Sequence, residues 1–171
     1  MVDWRTRVRE IPDFPQPGVL FRDILPVLAF PEAYHGLLHE LVEAIKPLAP
    51  DVIVAPEARG FLLAAPLADR LGAALVPVRK AGKLPKPVYG EDYALEYGTG
   101  RLEVEQVVDV AGARVVVVDD VLATGGTVSA AARLVRRLGG TVVGYGFAME
   151  LTALGGRDQL EGGDAVALWL V

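Results

Sequence analysis

At 171 residues and 52% hydrophobic composition, the chain is long enough for one domain with a sizeable core and too apolar for disorder. Its net charge of −5 argues against broad nucleic-acid binding, and the absence of Cys excludes disulfides and thiolate chemistry, which suits a cytoplasmic enzyme. No apolar run approaches the ~20 residues of a membrane helix, and Asp3, Arg5, Arg7, Arg9 and Glu10 leave no signal-peptide apolar region in residues 1–11.

Residues 3–10 read as a short amphipathic helix. Pro12, Pro15, Pro17 and Gly18 then impose an extended, turning segment, with Val19, Leu20, Phe21 and Ile24 as apolar anchors. Phe21 suits a core position as well as a binding one. Residues 31–48 form a predicted helix. His35 and His39 stand four apart on it, but no third ligand or Glu-x-x-His pattern supports a metal site.

Residues 51–56 are a predicted strand, and 61–71 the helix after it. Between them lie Glu57, Ala58, Arg59 and Gly60. A Gly beside an Arg at a strand's carboxyl end offers backbone N–H groups and a guanidinium to an anion. A third strand spans 74–78. Arg79, Lys80 and Lys83 leave it, with Lys86 close behind, so three of the chain's four lysines fall within residues 80–86. In an acidic chain that is a local cationic patch, placed where a polyphosphate would bind. Residues 84–103 are rich in Pro, Gly and Tyr and read as a lid, a β-hairpin, or both.

The most informative stretch is 114–139. Residues 115–118 are four consecutive valines, the pattern of a strand buried on both faces. Asp119 and Asp120 follow at its carboxyl end, then Ala123, Thr124, Gly125, Gly126 and Thr127. An Ala-rich helix starts at Thr127 and stops at Gly139-Gly140. Strand, two carboxylates, small-residue loop and helix start place a ligand beyond the strand end. The glycines and the helix N-terminus favour a phosphate, with Thr124 and Thr127 adding hydroxyl donors. Two acids beside a phosphate make sense if they take sugar hydroxyls or a cation, so the implied ligand is a sugar phosphate. Neither a Walker A loop nor a G-x-G-x-x-G fingerprint is present. Residues 141–149 and 165–171 complete the set as two further strands, giving an α/β fold: a mostly parallel sheet with helices on both faces.

Val-Val-Asp-Asp-Val-Leu-Ala-Thr-Gly-Gly-Thr closely resembles the phosphoribosyl-pyrophosphate (PRPP) signature of type I phosphoribosyltransferases, and Ala123 makes it most similar to the adenine members. Hypoxanthine/guanine members typically carry Asp at that position. Four more segments resemble the same family in the same order. They are Ile-Pro-Asp-Phe-Pro-x-Pro-Gly-Val-Leu-Phe-Arg-Asp-Ile, Glu-Ala-Arg-Gly-Phe, Val-Arg-Lys-x-Gly-Lys-Leu-Pro with Tyr-x-Leu-Glu-Tyr-Gly, and Glu-Leu-x-x-Leu-x-Gly-Arg.

The resemblance implies one phosphoribosyltransferase domain over 1–171, with an N-terminal hood at about 11–26 and a catalytic flap at about 84–103. It implies transfer of phosphoribosyl from PRPP to N9 of adenine, giving AMP and pyrophosphate, with Mg²⁺ held through PRPP and a homodimeric assembly. Asp119, Asp120, Ala123, Thr124, Gly125, Gly126 and Thr127 are then the ribose-phosphate site. Arg59, Arg79, Lys80 and Lys83 meet the pyrophosphate, and the loop at Arg59 has an unusual peptide geometry in the family. Leu20, Phe21, Arg22 and Leu151 meet adenine, while Glu96 and Tyr97 reach the reacting atoms, Glu96 handling the purine proton that Ala123 cannot. The alternatives are a transferase for another purine, and a non-catalytic PRPP-sensing regulator; such regulators usually carry an added DNA-binding domain.

Overall fold

The computed structural model describes every residue except Met1, Pro15, Glu96, Tyr97 and Val107. The chain forms two compact units, Met1–Glu40 and Leu41–Val171.

In the first unit a 3₁₀ turn at Trp4–Arg7 leads into an antiparallel pair, β1 (Arg9–Pro12) and β2 (Leu20–Asp23), in register from Arg9↔Asp23 to Pro12↔Leu20. The helix expected over 3–10 is thus one turn only. Asp3 caps it by accepting the Arg5 N–H at 3.1 Å, and Arg9 and Glu10 go to the strand. An isolated helix of that length is marginal, whereas the strand pairs its backbone with β2. The proline-rich stretch turns the hairpin. Asp13 accepts the Gly18 N–H at 2.7 Å and takes φ 54°, which Asp tolerates. Asp23 is buried; it holds Arg9 Nη2 at 2.6 Å and accepts the Leu25 N–H at 3.0 Å, where helix α1 (Leu25–Leu28) begins. Trp4 is fully buried and donates from Nε1 to Glu40 at 3.1 Å. Helix α2 (Pro31–Ile45) carries the chain into the second unit, with a 3₁₀ turn at Lys46–Leu48 ending it.

The second unit is built on β3 (Val52–Pro56), α3 (Arg59–Leu71), β4 (Ala74–Lys80), β5 (Val88–Leu95), β6 (Gly98–Glu105), β7 (Arg114–Leu122), α4 (Gly126–Arg137), β8 (Thr141–Glu150) and β9 (Asp164–Leu170). The sheet order is β5-β6-β4-β3-β7-β8-β9. The five strands β4, β3, β7, β8 and β9 are parallel, and the β5/β6 hairpin joins antiparallel at one side. Residues 84–103 therefore hold most of a β-hairpin, one of the two readings the composition allowed.

Alternation along the strands explains the layers. Val52, Val54, Val115 and Val117 share a core cluster with Val128, Ala131, Leu134 and Val135 of α4. Ile53, Ala55, Val116 and Val118 point to the opposite face, where α3 lies and where Gly144 and Gly146 of β8 leave room for Leu48 and Ile45. All four valines at 115–118 are 0% exposed, as a strand covered on both faces requires. The chain goes from β3 through α3 to β4 on one side, then places β7 on the other side of β3. This reversal opens a crevice at the carboxyl ends of β3 and β7, where ligands of open α/β sheets bind.

Candidate active site

Two loops meet at that crevice, one after β3 and one after β7. The second begins inside the strand, since β7 continues through Asp119 and Asp120 to Leu122, beyond the strand end expected at Val118. Pairing with β8 extends it, from Asp119↔Phe147 to Leu122↔Glu150.

Both aspartates face the start of α3. Asp120 is 3% exposed, and its Oδ2 lies 2.5 Å from Arg59 Nε without an aligned hydrogen bond. Asp119 accepts the Asp120 N–H at 2.8 Å. A Cβ on Gly60 would come 2.9 Å from its Oδ1, so Gly60 is what allows the two loops to meet. Burial, then the charge of Asp120, pushes the Asp119 carboxyl well above its ordinary value, with Arg59 opposing. This is a site where two like charges are forced together and a further cation would be welcome.

Residues 123–125 cross from β7 to α4. Gly125 has φ +83°, and a Cβ there would sit 2.5 Å from the Gly156 carbonyl oxygen. At Gly156 the Cβ would lie 2.0 Å from the Ala123 carbonyl oxygen. No other residue type fits either position. The resulting cradle, with Asp119 and residues 121–128 as its walls, encloses about 80 Å³. The first amides of an α-helix have no intrahelical acceptor, so the start of α4 presents donors and the positive end of its dipole there. Ala123, Thr124, Gly125, Gly126 and Thr127 are all in its lining.

After β3, the Glu57–Ala58 peptide is cis, the unusual geometry the resemblance implied. Glu57 accepts from Arg79 Nε at 2.9 Å and from the Lys80 N–H at 3.0 Å. Those two bonds, the backbone one foremost, hold its carboxyl below its ordinary value. Arg79 also stands over the Phe61 ring at 5.8 Å. The two arginines expected at a pyrophosphate thus each have a carboxylate partner, Arg59 with Asp120 and Arg79 with Glu57. Lys80 and Lys83 are exposed, and among the described residues neither forms a salt bridge, although the Lys80 charge acts on Glu57 at longer range.

Leu151 is half-buried just past β8, and its N–H donates to the Leu122 carbonyl at 2.9 Å. Leu20, Phe21 and Arg22 belong to the first unit. There Phe21 stands edge-on to Phe14, ring centroids 5.3 Å apart, and Arg22 Nε meets Glu10 at 3.1 Å. Glu96 and Tyr97, between β5 and β6, lie outside the described residues. Glu57 and the Gly155-Gly156 loop behind the cradle had no role assigned from the sequence, although both lie in family-like segments, Glu-Ala-Arg-Gly-Phe and Glu-Leu-x-x-Leu-x-Gly-Arg.

The sequence profile described as "Phosphoribosyl transferase domain" matches residues 23–156. The adenine phosphoribosyltransferase of Synechococcus sp. (strain RCC307) is 54% identical over 159 residues, covering 93% of this chain and 90% of that one. The crystal structure of adenine phosphoribosyltransferase from Thermoanaerobacter pseudethanolicus superposes with TM-score 0.94 at 50% identity, over 98% of this chain and 97% of that one. The Saccharomyces cerevisiae enzyme, complexed with adenine and an imino-altritol bisphosphate, gives TM-score 0.88 at 39% identity, over 94% of each chain.

Proposed function

The chain belongs to the phosphoribosyltransferase family, and from that membership we propose that it transfers the 5-phosphoribosyl group of PRPP to N9 of adenine. The bond from C1 of the ribose to the pyrophosphate oxygen breaks, the bond from C1 to N9 forms, and the N9 proton leaves. The observation that carries the reading is the crevice itself: a glycine-built phosphate cradle, an acidic pair and a cationic turn on adjacent loops.

Each part has a task in a displacement whose transition state resembles an oxocarbenium ion. The cradle at residues 123–127 holds the 5′-phosphate and supplies binding energy remote from the reacting bond. Asp119 and Asp120 take the ribose hydroxyls, and their crowded negative charge favours positive charge growing on the ring. Lys80 and Lys83, with Arg59 and Arg79, meet the charge developing on the leaving pyrophosphate. Glu96 takes the purine proton, and Tyr97 reaches the reacting atoms with it. Leu20, Phe21, Arg22 and Leu151 contact the base.

Among the described residues no three His, Cys, Asp or Glu side chains cluster as a metal cage. Mg²⁺ brought in through PRPP would suit this donor set, and the Asp119–Asp120 carboxylates would be the side chains to face it. When bound, it supplies charge neutralisation on the leaving group. By the same membership both units serve one transferase domain, which acts as a cytoplasmic homodimer; among the described residues no helix is long and apolar enough to cross a membrane.

The test is purified protein with Mg²⁺, PRPP and each of adenine, hypoxanthine, guanine and xanthine. AMP and pyrophosphate from adenine alone are expected. Product from another base overturns the base assignment, and PRPP binding without product from any base points to a regulator.

A further inference from the structure

Lys80 and Lys83 sit on a tight turn at residues 80–83, which the Lys83 N–H closes on the Lys80 carbonyl at 3.3 Å. Gly82 stands third in it at φ +77°, a conformation that favours glycine. Neighbouring like charges repel, so such a turn needs outside support to keep both ammonium groups on one target. Two carboxylates provide it, and both grip backbone. Glu57 accepts the Lys80 N–H, as described. Glu103, 9% exposed on β6, accepts the Gly82 N–H at 2.9 Å through Oε2, with Arg101 Nε 3.5 Å from its Oε1. The same strand accepts the Ala81 N–H at the Arg101 carbonyl, 3.1 Å away.

A buried carboxylate carries a desolvation penalty that its partners must offset. Among the described residues Glu103 makes no hydrogen bond or ion pair with those assigned to ribose, 5′-phosphate or base, and its aligned hydrogen bond goes to the cationic turn. We propose that Glu103 is a positioning residue for the diphosphate, fixing the turn at residues 80–83 so that Lys80 and Lys83 converge on it. The inference rests on the transferase reading above and deepens it.

A simple charge effect and a positioning effect have opposite signs here, which makes the proposal testable. Removing a negative charge near an anion site strengthens anion binding if charge is all that matters. If Glu103 acts by holding Gly82, its loss weakens binding, and an uncharged acceptor restores it. The experiment is calorimetric titration of pyrophosphate with Mg²⁺ into wild type, Glu103→Ala, Glu103→Gln, Lys83→Ala and the Glu103→Ala/Lys83→Ala double variant. It is run at a temperature where circular dichroism shows each to be folded.

Glu103→Ala is expected to weaken binding about tenfold, in line with the loss of one charge-assisted hydrogen bond. Glu103→Gln is expected to stay within about twofold of wild type, because it keeps an acceptor. The two alanine changes are expected to be non-additive, since Glu103 works through the lysines. Ribose 5-phosphate affinity is expected to be unchanged throughout. Pyrophosphate binding by Glu103→Ala equal to or tighter than wild type overturns the proposal, as does full additivity or equal loss in Glu103→Gln. Wild type that makes AMP yet binds no pyrophosphate overturns this inference and leaves the transferase reading standing. Wild type that does neither overturns both.

Discussion

The cradle and the cationic turn, each proposed to meet an anion, are made in opposite ways. The cradle is backbone: Gly125 and Gly156 interlock so closely that either Cβ would collide with a carbonyl oxygen. Its donors are the amides at the start of α4, fixed by the helix. The turn is side chain: two exposed lysines on a glycine turn, with their backbone held by Glu57 and Glu103. A backbone site is precise and intolerant, since any added atom displaces it. A side-chain site is adaptable, and here its backbone is held by two carboxylates from other strands and loops.

That contrast can be broken at the cradle with the largest effect. Gly125→Ala adds a Cβ at φ +83° against the Gly156 carbonyl, and kcat/KM for PRPP is expected to fall at least about 100-fold. Retained activity would show the cradle to be more yielding than its geometry. Asp119→Asn is expected to lower kcat by about 100-fold through lost charge stabilisation, while raising Tm at neutral pH. The sign follows from the raised pKa of Asp119, because its ionised form is the one the fold disfavours. The Tm advantage therefore shrinks as pH falls and the wild-type carboxyl protonates. A lower Tm at neutral pH would contradict the crowding of charge at this pair.

Changes at the turn are expected to be milder. Glu57→Ala frees Arg79 and loosens Lys80, raising KM for PRPP about fivefold and leaving KM for adenine alone. Because the folded Glu57 carboxyl titrates below its ordinary value, its contribution to stability is full above pH 4.5 and lost as pH falls through the folded value. The Tm gap between wild type and Glu57→Ala is thus expected to close in acid. Lys86→Ala sets the lower bound. Lys86 is exposed beyond the turn, and steady-state constants are expected to stay within about twofold. A large loss there would mean that cation number matters, and not the turn.

The same contrast explains what could be read from the residues alone. The four valines, the glycines of the cradle and the Ala-rich helix are local signals, so strand, loop and helix start were legible in order. The lysines were legible as a patch, but their supports were not. Glu57 and Glu103 reach them through the pairing of β3 with β4 and of β4 with β6, where Arg79 faces Glu103. Nothing local in the sequence near Lys80 announces a partner more than twenty residues away. Arg59 and Arg79 looked like open cations for a similar reason, since their carboxylates come from other loops. The amphipathic pattern of residues 3–10 misled because strand pairing with Leu20–Asp23 outweighs a helix of one or two turns.

Two separately built anion sites are proposed to flank the acidic pair. Calorimetric titration of ribose 5-phosphate, and of pyrophosphate with Mg²⁺, into wild type, Gly125→Ala and Lys80→Ala/Lys83→Ala tests this most directly. A crossed pattern is expected: Gly125→Ala loses ribose 5-phosphate and keeps pyrophosphate, and the double lysine variant does the reverse. Loss of both ligands together in either folded variant would contradict it.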